Sequence, residues 1–208
     1  MEYEARIGKI RDFLEKQKLN AIITKNSSHI FYLTGLLEIE GYLIIDNLNL
    51  HLFVSPLNFY ESLDSFRYNK KIKNLYIKKL NNKTLQKFLS RYKKTGFIKT
   101  EISYQTYKNF QKEVKTKLIP VDDFLLDIRM IKTEGEKKMI EKAKEITEKT
   151  FKKIEGIIKE EVNELDIVAE IKYQLIKNGA RKESFEPIVA SGVFSSYPHH
   201  KSKNKKIK

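Results

Sequence analysis

The chain has 208 residues, 40% hydrophobic and 33% charged, with a formal net charge of +14 and no cysteine. That length suffices for one large or two modest domains with a buried core. Lacking cysteine, the chain can form neither disulfides nor thiolate metal sites, and it has no thiol nucleophile. No apolar run approaches the roughly 20 residues a membrane helix needs. The charged start Met1-Glu2-Tyr3-Glu4 has no apolar stretch of the kind a signal peptide carries. A cytoplasmic protein with no membrane partner is the expectation.

The first part of the chain alternates helical and strand patterns. Ile7, Ile10, Phe13 and Leu14 share one helical face. Leu19 to Thr24 reads as a short buried strand. Asn26 caps a short helix that Gly35 stops. Gly41–Asp46, the polar turn at 47–49 and Leu50–Ser55 read as a β-hairpin, and Pro56 suits the first turn of a following helix. Strand-like runs recur at 74–78, 96–100 and 117–121, with helical patterns at 84–92 and 104–114 between them. Such alternation predicts an α/β domain with a mixed sheet.

The composition shifts near Val121, and from Thr133 the chain becomes long-helical. Thr133 and Glu136 have the spacing of a capping box. Met139, Ile140, Ala143, Ile146, Thr150, Ile154 and Ile157 recur at helical spacing. Asn163 caps a second helix with Leu165, Val168, Ile171 and Leu175 on its inner face, and Gly179 ends it. The apolar run Pro187–Ala190 reads as a strand. Two domains are expected, residues 1–122 and 123–208.

The pI of about 9.6 fits either an anionic partner or a lysine-rich surface. Arginine, which grips phosphates and bases bidentately, is scarce beside lysine, and the basic residues are spread along the chain. A lysine-rich surface with no nucleic-acid partner is therefore expected. There is no Gly-x-Ser-x-Gly elbow, Walker A loop or Gly-x-Gly-x-x-Gly. The acidic residues of 134–170 alternate with lysines as solvated i,i+4 pairs. His199 and His200 are adjacent, so on an extended backbone they point to opposite sides. His29 and His51 are expected at a helix start and on a strand, in structural positions.

Three blocks carry a family resemblance, in order. Arg6–Arg11, Leu19-Asn20-Ala21 and Ile30–Gly35 resemble the N-terminal domain of creatinase, prolidase and aminopeptidase P. Ile128-Arg129-Met130-Ile131-Lys132, followed by Glu134 and Glu136, is similar to the family's entry into its first catalytic helix. Asn163-Glu164 through Gly179 to Phe185, Gly192 and Pro198-His199 resembles the approach to the active site of the pita-bread metallopeptidases. Two positions depart from the pattern. Glu160-Glu161-Val162 stands where the family has glycine, and Val193-Phe194 stands where many members have asparagine.

The resemblance implies an α/β fold with a creatinase/prolidase-type N-terminal domain and a mixed sheet. The first helices and strand of an incomplete pita-bread domain would follow. It implies an Xaa-Pro aminopeptidase or dipeptidase acting on peptides with proline second, with two divalent ions (manganese, cobalt or zinc) and a homodimeric full-length protein. By resemblance His199 contacts substrate and Phe185 helps line the pocket, while His200 faces away. The family's five metal ligands would lie beyond Lys208, so the chain as given is expected to be truncated, to hold no metal and to be inactive alone. A non-catalytic binding module of the same fold is the alternative, followed by a basic nucleic-acid-binding protein.

Overall fold

The computed structural model of the chain describes residues 2–69 and 72–207. These divide into two compact units, Met1–Ile131 and Lys132–Lys208.

The first unit is an α/β domain on a six-stranded mixed sheet. β1 (Ala21–Thr24) pairs antiparallel with β2 (Gly41–Asp46), and β2 turns back into β3 (Leu50–Val54). β4 (Leu75–Lys79) lies parallel to β3. On the other side of β1, β5 (Lys94–Ile98) and β6 (Lys117–Val121) continue in parallel, giving the order β4-β3-β2-β1-β5-β6. The helices are α1 (Glu2–Lys16), α2 (Ser27–Thr34), α3 (Phe59–Asn69), α4 (Asn82–Leu89), α5 (Tyr104–Glu113) and α6 (Phe124–Met130).

The period of two sorts the sheet's side chains into two cores. Ile22, Leu43 and Ile45 join Ile10 and Leu14 of α1 and Leu33 of α2 in one. Ala21, Ile23 and Ile44 join Leu85 and Phe88 of α4 and Phe110 of α5 in the other. With both faces covered, β1 is buried at every position.

Local chemistry sets the ends. The Asn26 side chain accepts from the Ser28 N–H at 2.9 Å and opens α2, and Gly35 closes it in the left-handed region at φ 69°. In the hairpin turn, Asp46 Oδ1 accepts from the Leu48 and Asn49 N–H groups at 2.8 and 2.7 Å. The helix expected directly after Pro56 begins only at Phe59, because residues 56–58 form a turn closed by Asn58 N–H to Ser55 O. α6 belongs to the first unit. Leu125 is buried in the same core as α1, and Phe124 stacks on Phe13 at 3.7 Å. The first unit therefore runs to Ile131, beyond the division expected after residue 122.

The second unit holds α7 (Glu134–Glu155) and α8 (Glu164–Lys177). The capping box forms: Glu136 N–H donates to Thr133 Oγ1 at 3.2 Å, and Thr133 N–H donates to Glu136 Oε2 at 2.9 Å. Thr150, Ile154 and Ile167 are buried, whereas Met139, Ile140 and Leu165 are exposed. The inner faces are thus narrower than the apolar periodicity implied. Pro187–Ala190 makes no strand ladder among the described residues, which corrects the strand expected there. Val189 instead exchanges both backbone hydrogen bonds with Ser202 Oγ, at 2.9 and 3.0 Å. The basic end of the chain is pinned along the lead-in to α8. Glu161 N–H donates to Ile207 O, Ile207 N–H to Val162 O and Glu164 N–H to Lys205 O. No helix among the described residues is long and apolar enough to cross a membrane.

Candidate functional site

The densest polar arrangement in the second unit is centred on Glu164, the first residue of α8. Its side chain is fully buried, and a buried carboxylate must be satisfied or it costs several kcal/mol. Here Ser191 N–H and Ser191 Oγ–H reach Oε1 at 3.0 and 3.3 Å. Lys203 N–H and His200 Nε2 reach Oε2 at 3.1 and 3.0 Å. Burial by itself would raise this carboxyl. The hydrogen bonds from His200, Lys203 and Ser191 overcome that and hold it down at about 2. The positive end of α8 also favours the anion.

Both flanks of the 191–203 segment are therefore tied to one side chain. Other contacts tighten the loop. His200 stacks on Phe194 at 5.3 Å, Lys205 Nζ donates to Ser191 O at 3.0 Å, and His200 N–H donates to Tyr197 O at 3.1 Å. Gly192 takes φ 58°, a conformation that disfavours a side chain.

The loop treats the two adjacent histidines differently. His200 is the buried one, against Glu164, and His199 is exposed. Pro198 and His199 lie in a turn and not on the extended backbone expected, and the anchor of His200 is a carboxylate 36 residues away in sequence. Phe185 is 76% exposed and lies on the rim of an open apolar cleft of about 540 Å³. Ile146, Ile154, Ile167, Ile171 and Leu175 line that cleft as well, and His199 is not among its lining residues. This cleft therefore takes in Phe185 without His199.

In the first unit His29, at the start of α2 as expected, pairs with Glu101. His29 Nδ1 lies 2.8 Å from Glu101 Oε1, and Asp123 is close to the same ring. Burial would raise the Glu101 carboxyl. Hydrogen bonds from His29, the Thr24 hydroxyl and the Lys25 N–H lower it instead. The residues are 72 positions apart, so no local motif could have announced them. His51 lies on β3 between Tyr76 and Phe88, and burial lowers its pKa.

Residues 6–131 match the creatinase/prolidase N-terminal domain, and residues 138–208 match metallopeptidase family M24. The chain is 29% identical over 205 residues to an Xaa-Pro dipeptidase of Pyrococcus horikoshii, covering 97% of this chain and 56% of that one. The solved prolidase of Pyrococcus horikoshii superposes with a TM-score of 0.84 at 28% identity, over 98% of this chain and 57% of that one. A solved Xaa-Pro dipeptidase of Bacillus anthracis shares the fold, with a TM-score of 0.85 at 22% identity over 99% and 58%.

The chain belongs to the creatinase/prolidase family of metallopeptidases, with that family's N-terminal domain followed by M24 sequence. It spans a little over half the length of the relatives it matches.

An M24 domain implies divalent metal ions. The donors of residues 132–207 do not fit such a centre. Glu164, buried and the best placed carboxylate, already accepts from three residues. Of the α7 acids, Glu136 is half-buried and held in the capping box and the others are exposed, and no group of three potential ligands converges among the described residues of this unit.

Proposed function

We propose that the chain serves hydrolysis of the bond before proline in peptides carrying proline second, as part of an Xaa-Pro dipeptidase or aminopeptidase. The observation that supports this most directly is the ordered pair of family matches, running from the N-terminal domain into M24 sequence and ending over the Glu164-anchored loop that displays His199. In this reading Glu164 holds the loop, exposed His199 contacts the substrate, and Phe185 offers apolar surface to it. Manganese, cobalt or zinc would be held by carboxylates that residues 132–207 do not provide. Residues 1–208 should then be inactive by themselves. The working protein is a cytoplasmic homodimer without nucleic-acid partners.

The test compares the 208-residue chain with the product of its coding DNA continued past Lys208, on Ala-Pro and on a longer Xaa-Pro peptide with manganese. Cleavage by the longer product and none by the shorter is the expected result. Cleavage by both at equal rates overturns the assignment of the metal ligands, and cleavage by neither overturns the activity. One observation favours a second reading, a non-catalytic binding module of the same fold: the buried carboxylate of Glu164 is fully occupied by its own loop. Coding DNA lacking the ligand codons would select it.

A further inference from the structure

Three parallel strands, β1, β5 and β6, end side by side at one edge of the sheet. The crevice outside the carboxyl ends of parallel strands is where open α/β sheets place ligands. Here the chain leaving β1 supplies Thr24 and then His29 in the first turn of α2. The chain leaving β5 supplies Glu101, and the chain leaving β6 supplies Asp123, the N-cap of α6. One ligand atom from each of His29, Glu101 and Asp123 falls within 4.8 Å of the others.

The imidazole is fully buried. Glu101 is an acceptor already engaged by the Thr24 hydroxyl at 2.7 and 2.9 Å and by the Lys25 N–H at 2.8 Å. The proton between His29 and Glu101 therefore belongs to Nδ1. In the neutral imidazole that tautomer puts the lone pair on Nε2. It has no hydrogen-bond partner among the described residues, and it faces Asp123 Oδ1 at 3.6 Å.

That separation is too long for an N–H···O bond, which ends near 3.2 Å. It does match two ligands of one tetrahedral ion. With metal–ligand bonds of about 2.0–2.2 Å, neighbouring ligand atoms sit roughly 3.3–3.6 Å apart. A metal-bound histidine usually donates its other N–H to a carboxylate, which fixes the tautomer, and Glu101 stands in that position. Asp123, at 14% side-chain exposure, leaves an approach from solvent.

We propose that His29 Nε2 and Asp123 Oδ1 form a site for one borderline divalent cation, zinc or cobalt, with Glu101 orienting the imidazole and water completing the coordination. The site lies wholly in the first unit and does not depend on the peptidase reading. Imidazole with carboxylate is a donor set that suits zinc better than calcium or magnesium.

The test is titration of the untagged 208-residue chain with cobalt, followed by visible absorbance, and with zinc, followed by calorimetry and by the imidazole nitrogen resonances. One equivalent should bind, with the His29 Nε2 resonance moving and those of His199 and His200 still. Asp123→Asn can still cap α6, so its folding is checked by its urea midpoint, and it should weaken binding about tenfold or more. His199→Ala/His200→Ala should bind as the parent does. An unmoved His29 resonance at saturating zinc overturns the site, as does parent-like affinity in Asp123→Asn or loss of binding in the 199/200 double variant.

Discussion

The two units of this chain put their apolar sequence to different use. In the first, a six-stranded sheet is covered on both faces, and Ile23, Ile44, Leu43 and Leu52 are wholly buried. In the second, α7 and α8 bury few side chains and leave an apolar cleft open, with Phe151 62% and Phe185 76% exposed. The comparison separates two sources of order. The first unit is held by hydrophobic cores on both faces of its sheet. The second is held largely by polar ties to Glu164 and by the pairing of residues 161–164 with the end of the chain.

The largest expected effect tests that contrast in the core. Leu43→Ala or Phe53→Ala should destabilise the first unit by about 3–5 kcal/mol in urea denaturation. Phe151→Ser, on the exposed surface of α7, should leave stability within about 0.5 kcal/mol and reduce self-association, because exposed apolar patches drive it. Limited proteolysis should release a resistant fragment ending near Ile131. A chain that resists cleavage at full length, with Phe151→Ser as destabilising as Leu43→Ala, would show the second unit to be equally well packed.

Next in size is the buried carboxylate. Glu164→Ala should cost the second unit about 3 kcal/mol, because it strips the acceptor from buried donors on His200 and Ser191. The pH dependence has a defined sign. The Glu164 carboxyl lies at about 2 in the folded chain, against an ordinary value of 4.5. Its contribution is therefore present above about pH 4.5 and is lost as pH falls through the folded value. The urea midpoint of the second unit should drop between about pH 6 and about pH 3, and in Glu164→Gln that drop should be smaller. Equal pH profiles in the two proteins would remove Glu164 from the account.

What could be read in the sequence follows from how local each signal is. The hairpin at Gly41–Val54, the Asn26 cap, the Gly35 stop and the Thr133–Glu136 box rest on neighbours within a few residues, and each appears in the structure. The apolar run at 187–190 looked like a strand, but a ladder needs a partner strand, and local composition carries no information about one. Alternation on an extended backbone was expected to separate His199 from His200, but the two sit at a turn, where one is exposed and the other buried. Which of them turns inward was decided by Glu164, and that could not be read from the pair itself. The sequence did hold one cue, an acidic residue at the first position of a helix just after an N-cap. The His29, Glu101 and Asp123 constellation had no local cue, since its members meet only once β1, β5 and β6 align.

The smallest stability effect should come from the residue with the strongest claim to function. His199 is exposed, and no hydrogen bond or ion pair holds its ring among the described residues, so His199→Ala should shift the urea midpoint of the 208-residue chain by no more than an ordinary surface change, within about 0.5 kcal/mol. His200→Ala removes the ring that stacks on Phe194 and contacts Glu164. It should lower stability by about 1–3 kcal/mol and expose residues 191–203 to faster amide exchange. If a product continued past Lys208 cleaves Xaa-Pro peptides as proposed, the order should invert for chemistry. His199→Ala should lower turnover with bound metal unchanged, while His200→Ala should act on activity only through its loop, in proportion to the exchange it releases. If His199→Ala leaves turnover intact and His200→Ala abolishes it at unchanged loop exchange, then the buried histidine is the functional one, and the assignment made on exposure is reversed.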